Sequence, residues 1–81
     1  MKLPYAVYIL KCSDNTYYTG FTTDIEKRLI AHDNREVHYT KSRLPLKLVN
    51  LFQFESKQNA YDFERYLKSG SGIAFRNKRF I

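Results

Sequence analysis

The stretch Tyr5-Ala6-Val7-Tyr8-Ile9-Leu10-Lys11-Cys12, followed by Ser13-Asp14-Asn15 and then Thr16-Tyr17-Tyr18-Thr19-Gly20-Phe21, sets the architecture. In its first run Tyr5, Val7 and Ile9 alternate with Ala6, Tyr8, Leu10 and Cys12, and both faces are largely apolar. That pattern belongs to a strand covered on both sides. Ser13-Asp14-Asn15 is a cluster of turn formers, and Thr16 to Phe21 is rich in β-branched and aromatic residues, so the two runs read as a hairpin. Its register matters. A two-residue loop at Asp14-Asn15 would set Leu10 opposite Thr19 and Lys11 opposite Tyr18, sending Tyr8 and Tyr18 to opposite faces. A three- or five-residue loop, or a bulge, puts both phenols on one face.

Outward from the hairpin, Thr23-Asp24-Ile25-Glu26 matches a capping box with Thr23 as N-cap, predicting a helix from Asp24 to about Asp33. Ile25 and Leu29 share one side of it, and Arg28 and His32 form a second pair one turn apart that can point toward one spot. Asp33 to Pro45 has no sustained period and reads as a loop with exposed basic residues, Lys41 and Arg43, placed to contact phosphate. Leu46 to Phe54 alternates Leu46, Leu48, Asn50, Phe52 and Phe54 with Lys47, Val49, Leu51 and Gln53, giving a third strand. Ser56 caps a second helix, Lys57 to Ser69, whose inward stripe is Ala60, Phe63, Glu64 and Leu67. Glu64 is the anomaly, because a carboxylate in an apolar stripe is costly unless paired, hydrogen-bonded or bound to a metal. Gly70-Ser71-Gly72 then breaks the chain before a short helix or turn from Ile73 to Phe80 that carries Arg76, Asn77, Lys78 and Arg79.

Eighty-one residues make one domain, 1–81, near the small end of what folds without disulfides or metals. The single cysteine, Cys12, excludes an internal disulfide framework and suits a reducing cytosol. Met1 to Cys12 is too short and strand-like for a signal peptide, and no apolar run approaches the roughly 18 residues of a membrane helix. A cytoplasmic protein without a membrane partner is expected. The formal charge of +6 is uneven. In residues 1–40, Lys2, Lys11, Lys27, Arg28 and Arg35 balance Asp14, Asp24, Glu26, Asp33 and Glu36, so the whole surplus lies in residues 41–81. A basic half favours a polyanion, most simply nucleic-acid phosphates.

Val7-Tyr8-Ile9, Tyr18-Thr19-Gly20, the Asp24 to Leu29 run with Arg28, then His32, and Ala60 with Glu64 and Lys68 together resemble the GIY-YIG endonuclease superfamily. The likeness is to its small stand-alone bacterial members and runs from Val7 to about Arg79. It implies a small α/β (α+β) fold, a three-stranded, mainly antiparallel sheet flanked by helices in the order β1-β2-α1-β3-α2-α3. It further implies hydrolysis of DNA phosphodiester bonds with a divalent cation, Mg²⁺ or Mn²⁺, held by Glu64. Tyr8 would activate or position the attacking water, Tyr18 would hydrogen-bond into the same site, and Arg28 would stabilise charge on the phosphate oxygens. His32 would shuttle a proton or hold a phosphate oxygen. Arg76, Asn77, Lys78 and Arg79 join Lys41 and Arg43 as nucleic-acid contacts, RNA remaining open beside DNA, with specificity drawn from nucleic-acid shape or a protein partner.

A phenol with an ordinary pKa near 10 is a poor base, and positive charge from a cation or Arg28 is expected to lower it. Val7 stands where the first motif has its name-giving glycine, Thr19 replaces the middle residue of the second, and Phe21 occupies a position that is basic in some repair nucleases. Each residue also has a plain structural reading. Tyr8 serves as a strand tyrosine, Tyr17 as the core residue in place of Tyr18, and Arg28 as the partner of Asp24. His32 is a favourable charge at a helix end, Glu64 a partner of Lys68, and Lys78-Arg79 a solvated tail. A non-catalytic nucleic-acid-binding module, or an adaptor in a repair complex, is the alternative function on the same fold.

Overall fold

A computed structural model describes residues 3–81; Met1 and Lys2, counted above in the N-terminal charge balance, lie outside the described residues. Strand β1 (Tyr5–Lys11) is central, flanked antiparallel by β2 (Tyr17–Thr22) and β3 (Lys47–Phe54), in the order β2-β1-β3. The helices are α1 (Ile25–Asp33), α2 (Lys57–Lys68) and α3 (Gly70–Arg79). Both faces of β1 are covered, as its doubly apolar pattern requires. Val7 and Ile9 pack against Ala60 and Leu67 of α2, while Tyr8 and Leu10 pack against Ile25 and Leu29 of α1.

The hairpin takes the three-residue loop. Cys12 N donates to Thr16 O at 2.8 Å, and Asn15 adopts φ 67°, the left-handed conformation that closes such loops and that asparagine tolerates. The Asp14 carboxylate accepts from both the amide and the hydroxyl of Thr16 and holds the turn. Leu10 therefore faces Tyr18 and Tyr8 faces Gly20, which places the two phenols on one face.

Four details differ from the sequence expectation. Asp24, not Thr23, caps α1, accepting from Lys27 N at 3.1 Å while Thr22 Oγ1 accepts from Asp24 N; the carboxylate outcompetes the neighbouring hydroxyl and the helix starts at Ile25. In β3 the pairing shifts between Ile9↔Asn50 and Leu10↔Leu48, so the even-numbered residues do not share one face. Phe52 and Phe54 pack with Val7 and Ile9, whereas Leu46 packs with Tyr8 and Leu10, because the extra residue at Val49 reverses the alternation. Gly70-Ser71-Gly72 starts α3 instead of separating it from α2. Ser69 serves both helices, donating from Oγ to Tyr66 O at 2.6 Å and accepting from Gly72 N at 3.1 Å. A Cβ on Gly72 would overlap the Tyr66 carbonyl, so the tight junction needs glycine there.

The segment from Asp33 to Pro45 is the fourth. It is not an open loop. Arg35 sits at φ 62° and donates to His32 O, while Glu36 N donates to Ala31 O, the paired bonds of a Schellman end to α1. The chain then folds back over α1. Arg43 anchors it to the hairpin turn through a 2.8 Å ion pair with Asp14 and a Ser13 N to Arg43 O hydrogen bond. Thr40, in the middle, is fully buried.

Candidate active site

Tyr8 lies at the centre of the face beneath α1, with no solvent exposure. Its ring can lie across β2 because Gly20, its cross-strand partner, lacks a side chain; a Cβ there would collide with the ring and hydroxyl. Arg28 and His32, one turn apart on α1, converge on the phenol. Arg28 Nε donates to Tyr8 Oη at 3.1 Å, and Tyr8 Oη lies 2.8 Å from His32 Nε2. The other imidazole nitrogen, Nδ1, lies 2.7 Å from Thr40 Oγ1, which is oriented toward Val37 O at 3.5 Å.

The direction of this chain follows from its ends. Thr40 spends its hydroxyl proton on the Val37 carbonyl, so it accepts from His32 Nδ1–H. A neutral imidazole protonated at Nδ1 leaves Nε2 bare, and Nε2 accepts the Tyr8 O–H while Arg28 occupies a phenol lone pair. Burial, and then the Arg28 charge, push the His32 pKa down and keep the ring neutral. The Tyr8 pKa is pushed up to about 12, chiefly by burial. Arg28 does act to lower it, as expected, but desolvation of a phenolate outweighs that one hydrogen bond, so the net shift is opposite to the sequence expectation. The Arg28 pKa is raised, above all by its bond to Tyr8.

Tyr18 closes the cluster, with its ring centroid 6.1 Å from Tyr8 and 5.1 Å from His32. Beside Tyr18, Lys68 Nζ lies 5.9 Å from the ring centroid and pairs with the buried carboxylate of Glu64. Glu64 itself stands on α2, whose Ala60 and Leu67 pack on the Val7 and Ile9 face of the sheet, opposite the Tyr8 face, and its partner Lys68 lies beside Tyr18. Among the described residues no three His, Cys, Asp or Glu side chains gather as a metal cage. A single buried carboxylate suits a hard cation that takes the rest of its shell from water and phosphate oxygens.

Of the expected nucleic-acid contacts, Arg76 lies beside the Tyr17 ring at 5.5 Å and donates to Asn77 Oδ1. Arg43 is engaged locally, by Asp14, by the Tyr39 carbonyl and by the Tyr39 ring, 4.2 Å from its guanidinium. Lys41 is exposed, and Lys78 and Arg79 stand exposed in the last turn of α3. Thr40 and Tyr39 had no signal in the sequence, since only the Schellman turn brings their segment over His32.

Residues 4–77 match the GIY-YIG catalytic domain. The chain belongs to the GIY-YIG family. It is 48% identical over 65 residues to the UPF0213 protein YsiG of Lactococcus lactis subsp. lactis, a match covering 79% of this chain and 62% of that protein. The chain therefore spans less than two thirds of YsiG. It is 45% identical over 69 residues to a UPF0213 protein of Streptococcus agalactiae serotype V, covering 84% of this chain and 78% of the relative. The solution NMR structure of the UPF0213 protein BH0048 from Bacillus halodurans superposes with a TM-score of 0.59 at 34% identity, covering 94% of this chain and 85% of that one. Val7 in place of the glycine is accommodated in the core, fully buried.

Proposed function

We propose that residues 1–81 act as one divalent-metal-dependent endonuclease domain that hydrolyses DNA phosphodiester bonds, with RNA open as a second substrate. The convergence of Arg28 Nε and His32 Nε2 on Tyr8 Oη carries this reading. It gives a buried phenol a proton acceptor on one side and a fixed cation on the other.

The proton path is the part these residues supply. Tyr8 is buried in the free protein, so the cluster must open to admit water and phosphate; as water then attacks phosphorus, its proton passes to Tyr8 Oη while the Tyr8 proton moves to His32 Nε2, so free tyrosinate need not accumulate. That concerted path matters because a phenol pushed up to about 12 is almost wholly protonated near neutral pH. Thr40 acts as a positioning residue, holding Nδ1–H so that Nε2 faces the phenol. Arg28 stabilises the oxygens of the phosphorane-like transition state and bears on both phenols. Glu64 would hold Mg²⁺ or Mn²⁺, which when bound supplies charge neutralisation on the phosphate and its leaving oxygen. Lys68 supplies the counter-charge to Glu64 in the free protein.

Among the described residues no helix is long and apolar enough to cross a membrane. With its one free cysteine, Cys12, buried, the protein suits work in the cytoplasm, in repair or recombination of structured DNA. The Glu64–Lys68 pair favours a second reading, a nucleic-acid-binding module or adaptor without turnover, because it satisfies the buried carboxylate without a metal.

The two readings separate in one assay. Supercoiled plasmid, single strands and branched DNA are incubated with the chain in Mg²⁺, Mn²⁺ or chelator, beside Glu64→Ala and Arg28→Ala. Chelator-sensitive cleavage lost in both variants is expected; salt-dependent binding without cleavage in any metal would favour the binding module.

A further inference from the structure

A groove of ≈ 300 Å³ runs along the exposed edge of β2, lined by Tyr17, Tyr18, Thr19, Tyr39, Lys68 and Arg76. It begins at the catalytic cluster, since Tyr18 and Lys68 belong to both. We propose that this groove receives one unpaired nucleobase of the substrate, stacked on Tyr39 and Tyr18, with the adjoining phosphate held by Lys68 and Arg76. The proposal rests on the nucleic-acid hydrolase reading and narrows it to substrates that can present a base outside the stack.

Four observations carry it. The Tyr18 and Tyr39 rings lie 5.5 Å apart at 37°, a tilted aromatic pair in contact that forms one wall of the groove. Tyr39 is 39% exposed, yet its ring is held by the Arg43 guanidinium, itself fixed by Asp14 and the Tyr39 carbonyl. A fixed, half-exposed tyrosine is a stacking platform that needs little ordering on binding. Arg76 and Lys68, the latter half exposed while paired with Glu64, place two cations on the same groove, the combination that tracks a single strand.

The fourth observation is Thr19. It is 4% exposed and its Oγ1 is buried without a hydrogen-bond partner. Thr19 lines the groove, where the edge of a base can satisfy that hydroxyl. The groove's size fits one base and its ring faces cannot reach a base inside a duplex, because neighbouring pairs cover both sides of it. Single strands, flaps and frayed junctions meet the requirement.

Binding is read in chelator, so that hydrolysis plays no part, using a single-stranded oligonucleotide carrying one 2-aminopurine, the same strand with an abasic site, and the perfect duplex. The wild-type protein quenches the 2-aminopurine and prefers the intact strand over the abasic one by about tenfold. Tyr39→Leu loses the quenching and that preference, and Tyr39→Phe keeps both. Equal affinity for intact and abasic strands, unchanged by Tyr39→Leu, overturns the groove. Mg²⁺ is then added to separate the two claims. Quenching without cleavage leaves the groove standing and sinks the hydrolase reading, while cleavage indifferent to the base and to Tyr39 does the reverse.

Discussion

His32 Nδ1 lies 2.7 Å from Thr40 Oγ1, both side chains fully buried, and this contact determines which imidazole nitrogen faces Tyr8. The two residues meet because Arg35 accepts a left-handed backbone at the end of α1, which turns the chain back over the helix it has just left. Local backbone geometry thereby orients a proton acceptor for a phenol on β1.

Thr40→Val keeps the shape and removes the acceptor. His32 Nδ1–H is then buried without a partner, at a cost of about 1–3 kcal/mol, measurable by urea unfolding. The freed ring is expected to populate the Nε2–H tautomer, visible in its ¹⁵N shifts, with cleavage falling about tenfold or more. Thr40→Ser restores the shifts and the activity. An unchanged tautomer with unchanged cleavage would remove Thr40 from the relay.

Gly20→Ala tests the space under Tyr8. The new methyl collides with the phenol, so the ring must leave its place between Arg28 and His32. Stability is expected to drop by about 1–3 kcal/mol, with cleavage lost even where the variant remains folded by circular dichroism. Activity equal to the wild type would show that the phenol's placement is not needed.

His32 links stability to pH. Its folded-state pKa lies below the ordinary 6.5, so the unfolded chain binds the extra proton first as pH falls. The contribution of the neutral ring is present above about 6.5 and is lost as pH falls through the lower folded-state value. Urea midpoints from pH 8 to 5 should decline for the wild type, and less steeply for His32→Gln. Parallel curves would place His32 outside the buried network.

Glu64→Gln separates metal holding from pairing. Lys68 is half exposed, so loss of its ion pair changes stability by only about 1 kcal/mol or less. Mg²⁺-dependent cleavage is nevertheless expected to fall by at least about a hundredfold. Matched cleavage in the two proteins would assign Glu64 to the ion pair alone.

Much of this was legible from residue parity and spacing. The hairpin register followed from the need to put Tyr8 and Tyr18 on one face, and the three-residue loop does so. Arg28 and His32 converge because four residues make about one helical turn. What failed to show was set by contacts between distant segments. The bulge at Val49 reverses the faces of β3, Ser69 joins two helices that a glycine-rich stretch seemed to part, and Thr40 reaches His32 only after the chain doubles back. The Tyr8 shift had the wrong sign because a sequence displays the charge of Arg28 but not the depth of the phenol's burial.

Tyr8 carries the central claim, and Tyr8→Phe keeps the ring while removing the one oxygen on which Arg28 and His32 converge. Single-turnover cleavage of a labelled DNA in saturating Mg²⁺ is predicted to slow by about 10²–10⁴-fold, with the folded spectrum retained. A Tyr8→Phe rate within a few-fold of the wild type would contradict the phenol relay.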